Sequence, residues 1–207
     1  MGAPKSQLLT RDPASPSEPA PPTQDAVLAG VVAGERWAHA ALYDQLYPVV
    51  ARTLQKILRD TSGDYEDLVQ VSFERIVRTL VGERPVRVAS LSAWAGSISA
   101  HVALDALRGR IRDRRVFERE QVAVGVVGPS LEQRLEARQR LAWLQETLTR
   151  MNADQAQTLL LHDVLGHDLA DIAGIMGVSM AAAQRRLSRG RQELRARAAR
   201  RAERGRR

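Results

Sequence analysis

The sequence predicts an all-α protein built as two small helical domains joined by a flexible linker, and three observations carry that prediction. Apolar residues recur at i, i+3 or i+4 and i+7 through most of the chain, the period of helices that bury one face. Capping residues, glycines and prolines punctuate these runs at intervals of about one short helix. Charge is also divided. Eleven arginines from Arg185 to Arg207 face only Glu193 and Glu203, so that end carries +9 while the whole chain carries +7. The remainder is close to neutral, and the basic end has the character of a polyanion-binding surface.

Composition bounds the rest. The 207 residues are 44% apolar with only three Trp, three Tyr and two Phe, which fits one or two modest aliphatic cores. Without cysteine there is no disulfide framework, thiol nucleophile or cysteine metal site, as suits a reducing compartment. The four histidines are scattered; His162 and His167 fall on a helix and a turn, which does not make a zinc pair. No run approaches the ~20 apolar residues of a membrane span, and the N-terminus lacks a signal-peptide core, so a cytoplasmic protein without metal or cofactor is expected.

Residues 1–24 hold six prolines among Ser, Thr, Gln and Ala, a composition that buries too little surface to offset ordering entropy, and form a disordered leader. The first domain spans 25–115. Residues 25–59 read as three helices with breaks near Gly34 and before Pro48. A helix then starts at Asp64 as N-cap and buries Val69, Phe73, Ile76 and Leu80. The acids Asp64, Glu66 and Asp67 complement its dipole, which explains them better than metal binding. A loop of about ten residues carries Arg84 and Arg87 to a cap at Ser90 or Ser92. The next helix buries Leu91, Trp94, Ile98 and Val102, then turns basic at Arg108, Arg110 and Arg112, so that its far end can lie along a nucleic-acid backbone.

Residues 116–134, with Gly125, Gly128 and Pro129, form the linker. The second domain, 135–196, opens with Leu141, Leu144, Leu148 and Met151 at helical spacing, followed by an Asn152-capped helix. Asp168 then caps a short helix with Leu169, Ile172, Ala173 and Met176 on one face. Gly177 supplies a sharp turn, and Ser179 caps an arginine-rich helix with Ala183 and Leu187 facing inward. This is the pattern of a helix-turn-helix, and the spacing fits a DNA-reading unit. Residues 197–207 form a basic tail, whose arginines add nonspecific nucleic-acid affinity.

Several segments together resemble a family. Asp64-Tyr65-Glu66-Asp67-Leu68-Val69-Gln70 followed by Phe73, the opening Gly34-Glu35 and Ala41-Leu42-Tyr43, and Trp94, Ile98 and Asp105-Ala106-Leu107-Arg108 match one motif set. Gly166, Ile172-Ala173, Gly177-Val178-Ser179 and Arg186-Leu187-Ser188-Arg189 match a second. Over about residues 26–195 the chain resembles bacterial alternative sigma factors of the extracytoplasmic-function type, in the sigma-70 family. The resemblance implies a non-enzymatic protein that binds core RNA polymerase and directs it to promoters. Asp64, Asp67, Leu68, Gln70 and Phe73 would dock on the β′ clamp, and the second domain would meet the β flap. Arg84, Arg87, His101, Arg108, Arg110 and Arg112 would engage the −10 element, and Ser179, Gln184, Arg185, Arg186, Ser188 and Arg189 the −35 element. An anti-sigma factor is a further implied partner.

The chain departs from the family pattern at Ala182-Ala183, commonly Thr-Val; at Gln184, commonly Lys or Arg; and at Ala100-His101, commonly Arg-Asn. Fewer groups are left to read bases at the start of the recognition helix, and phosphate contacts gain weight. A polymerase-independent helix-turn-helix regulator would account for the second domain but not for Asp64 to Phe73. A nuclease using Asp64, Glu66, Asp67 or His101 lacks a partnered acid-base pair.

Overall fold

The computed structural model describes residues 22–59, 63–82, 90–116 and 131–204. The expected leader up to residue 21, the loop with Arg84 and Arg87, most of the expected linker and the last three residues lie outside the described residues. Eight α-helices run in order among the described residues: α1 Gln24–Val32, α2 Arg36–Leu58, α3 Tyr65–Val81, α4 Leu91–Val116, α5 Leu131–Thr149, α6 Ala153–Leu159, α7 Leu169–Met176 and α8 Met180–Arg204. A π-helical turn, Leu160–Val164, follows α6.

The first half departs from expectation at Pro48, which lies inside the single helix α2 rather than ahead of a third one. Proline removes one backbone donor and crowds the preceding turn. Here its ring is exposed, while Leu42, Leu46, Val50 and Leu54 form a continuous buried row past it. That burial, about 1.5–3 kcal/mol for each large aliphatic side chain, outweighs a helix-interior proline cost of about 3 kcal/mol. The chain leaves α2 through Arg59 in the left-handed conformation, φ 58°. The helix α4 buries Leu91, Trp94, Val102, Leu104 and Leu107 against α2 and α3.

The second half follows its local signals closely. Asn152 accepts hydrogen bonds from the amides of Asp154 and Gln155, and Asp168 accepts one from Asp171 at 2.8 Å. Gly177 ends α7 at φ +63°, where a Cβ would be strained, and Ser179 caps α8 by accepting from the Ala182 amide at 3.2 Å. Leu161, Ile172 and Ala183, all fully buried, form the small core of the helix pair.

The two halves are in contact. Leu148, Met151, Leu159, Leu160 and Leu187 belong to the same buried cluster as Leu54, Ile57 and Leu104 of the first half. Polar groups finish the seam: the Gln145 amide donates to the carbonyls of Ile57 and Leu58, both at 3.0 Å, satisfying the end of α2. Gln157 donates to the Ser97 carbonyl and Lys56 to that of Val164, each at 3.4 Å.

Candidate nucleic-acid interface

The arginine-rich helix α8 is fixed from behind. Ala183 and Leu187 point inward at 0% and 5% exposure, so the residues between them are turned out. Gln184, Arg185, Ser188 and Arg189 are all exposed, which brings four of the six expected −35 residues onto one outer surface. Ser179 is exposed as well, but its hydroxyl is engaged as the cap of α8. Arg186 is the exception. It is ion-paired with Asp154 of α6 at 2.7 Å with its side chain 28% exposed, so it holds α8 against α6. Arg191 acts similarly on the next turns, where its Nε donates to Asp163 Oδ2 at 3.2 Å and its terminal nitrogen pairs with Asp163 Oδ1. That hydrogen bond, helped by His162, keeps the Asp163 carboxyl below the ordinary aspartate range and raises the guanidinium in turn.

Gly190 shows how closely α8 is seated. A Cβ there would lie 3.0 Å from Leu159 Cδ1 and 3.3 Å from the Gln155 carbonyl oxygen. The close helix crossing is therefore at Gly190 as well as at Ala183, a position that patterning of α8 alone did not single out. Past it, α8 continues to Arg204, so residues 197–204 of the expected tail are helical.

In the first half the expected −10 residues are partly spoken for. Asp105 gathers Arg75 at 3.0 Å, Arg108 at 3.1 Å and His101 at 3.6 Å. Arg110 lies 3.7 Å from Asp64, across from α4 to the start of α3. Asp64 does occupy the N-cap position of α3, but its side chain makes no capping hydrogen bond and points to Arg110 instead. Arg112 is exposed. His101 also borders a cleft of about 250 Å³ with Arg75, Arg78, Ile98 and Gln157.

The outer face of α3 combines acids with aromatics. Asp67 and Gln70 are exposed, and Gln70 donates to Glu74 Oε1 at 3.0 Å. Leu68 and Phe73 are half-buried against the core. Phe73 stacks on Tyr43 of α2 at 4.5 Å between ring centres, and Tyr43 in turn lies 5.4 Å from Tyr47. Tyr43 is 43% exposed, unusual for a large ring, and adds an aromatic member to this face. Its place in the Ala41-Leu42-Tyr43 motif and its i, i+4 spacing from Tyr47 are its sequence signals. Among the described residues, no group of three or more His, Asp or Glu could hold a metal ion, and no helix is long and apolar enough to cross a membrane.

A basic helix behind a glycine turn, in one chain with a separate acidic and aromatic face, fits the class of DNA-binding proteins. Family profiles make that class specific: sigma-70 region 2 matches residues 42–113, and sigma-70 region 4 matches 141–194. The chain belongs to the sigma-70 family as an alternative sigma factor of the extracytoplasmic-function type, which binds RNA polymerase and directs promoter recognition. It is 27% identical over 169 residues to the ECF RNA polymerase sigma factor SigM of Mycobacterium tuberculosis, covering 81% of each chain. With the ECF RNA polymerase sigma factor SigE of Mycolicibacterium smegmatis it shares 28% identity over 158 residues, 74% of this chain and 60% of that protein. A solved structure described as "Structure of CnrH in complex with the cytosolic domain of CnrY" aligns at 21% identity and a TM-score of 0.48, over 84% of this chain and 95% of that one.

Proposed function

We propose that this sigma factor divides its contacts between the two halves, with α3 serving the polymerase and α8 the upstream promoter element. Asp67, Gln70 and the Phe73–Tyr43 pair meet the β′ clamp, polar groups rimming an apolar centre as in other protein interfaces. Asp64 and Leu68 support that face, the former through Arg110. The second half meets the β flap. Gln184, Arg185, Ser188 and Arg189 enter the major groove at −35, where glutamine pairs with adenine and arginine with guanine. Arg112, together with Arg84 and Arg87, holds the −10 strand, while Arg108 and His101 act through Asp105. The chain performs no covalent step and works in the cytoplasm beside the polymerase, with an anti-sigma factor as a further partner.

The observation that carries this reading is the presence of both faces in one chain, in the order of the two matched regions. In vitro transcription with core polymerase on genomic fragments, with start-site mapping, tests it. Initiation that requires this chain and is lost on Asp67→Ala or Phe73→Ala is expected. Tight binding to DNA without co-elution with core polymerase, and no initiation from any fragment, would establish a polymerase-independent regulator instead.

A further inference from the structure

We propose that the groove between α5 and the C-terminal half of α8 is a second nucleic-acid site, which grips the backbone of a single strand. The 25 residues of α8 make a rod of about 37 Å, far longer than a major groove engages. Its last turns are fastened to α5. Arg201 lies over the Trp143 ring at 5.2 Å and donates to the Gln139 carbonyl at 3.5 Å. Arg197 bridges Glu193 at 2.6 Å and the Arg150 carbonyl at 3.4 Å. Between the helices lies a groove of about 530 Å³ whose lining includes Trp143, one acid, Glu146, and the arginines Arg150, Arg197, Arg200, Arg201 and Arg204. Gln184 and Ser188 line a different groove, with His162 and Arg191.

The charges in the groove are unevenly used. Arg150 is paired with Glu146 and Arg197 with Glu193. Arg200 and Arg204 sit one turn apart, exposed, with no hydrogen-bond or ion-pair partner among the described residues. Guanidinium forks match phosphate oxygens, and a line of them along an open groove suits a chain of phosphates better than one compact ligand, which needs enclosure. A duplex is too thick to enter, whereas a flexible strand can follow. Trp143, with the Arg201 guanidinium 5.2 Å over its ring, adds an aromatic and a planar cation to the groove, the groups on which bases stack. This assignment is independent of polymerase recruitment.

Fluorescence anisotropy of the full chain with labelled single-stranded 10-mers, RNA and DNA in separate arms, tests it. The double variant Arg200→Ala/Arg204→Ala should weaken strand binding about tenfold and lower the salt slope by about 1.4, two contacts at about 0.7 each. Duplex binding and the melting temperature should hold, since neither side chain has a partner among the described residues. Arg185→Ala/Arg189→Ala should do the reverse, sparing the strand and weakening the duplex. Unchanged strand affinity and salt slope in the first variant would overturn the proposal. So would displacement of the strand by tripolyphosphate or by polyglutamate at equal charge, which would make the groove a small-phosphate or acidic-peptide site.

Discussion

Arg186 and Arg189 stand three residues apart on α8 and meet different environments. Arg189 is exposed on the reading surface, whereas Arg186 is tied to Asp154. Arg189→Ala should weaken −35 binding by about 1–3 kcal/mol and reduce its salt slope by about 1 if the contact includes a phosphate. Arg186→Ala should instead lower thermal stability, by at most about 1 kcal/mol for so exposed a pair, with DNA specificity retained. Quantitative gel shifts beside calorimetry distinguish the two, and the opposite ranking would reverse their roles. Asp163 supplies a pH signature. Its carboxyl is held below the unfolded value of about 3.9, chiefly by Arg191. Its contribution to stability is therefore complete above that value and is lost as pH falls through the lower folded one. Melting curves from pH 7 to pH 2 should show a shallower acid limb in Asp163→Asn, and an unchanged limb would show the pair to be unimportant.

At the scale of elements, the seating of α8 on α6 determines how the reading surface is presented. Gly190→Ala places a methyl 3.0–3.1 Å from the Leu159 side chain and 3.3 Å from the Gln155 carbonyl, and a carbonyl yields less readily than a leucine. A loss of about 1–3 kcal/mol is expected, in spite of alanine's higher helix propensity. Denaturant titration measures it; a stabilised variant would mean that α8 moves away freely. Pro48 illustrates the opposite balance, since the buried row on one side of α2 carries the helix through a residue that breaks helices locally.

Across the whole molecule, the shared cluster joins the two helical halves. Leu148 of α5 is 6% exposed in the cluster that also holds Leu54, Ile57 and Leu104. Leu148→Ala should therefore destabilise the protein by about 2–5 kcal/mol. Scanning calorimetry should show one transition displaced as a unit, by about 2–4 °C per kcal/mol in a chain of this size. Two resolved transitions, only one of them shifted, would mean that the halves fold separately.

The sequence by itself determined the helical class, the glycine turn at Gly177, the caps at Asn152, Asp168 and Ser179, and the inward pair Ala183 and Leu187. Each depends on residues within about a turn of one another, so the local pattern contains its cause. The exposure of Gln184, Arg185, Ser188 and Arg189 was legible for the same reason, being what remains once the inward face is known. Only the tertiary structure decided which charges are free. Asp64 turns to Arg110, Arg186 to Asp154, and Asp105 to Arg75 of another helix. It also decided that Gln145 would close the end of α2 and that the last arginines would line a groove. Those outcomes rest on which helices meet. Ion pairing and close packing act over a few ångströms in space, between residues that can lie dozens of positions apart in the chain.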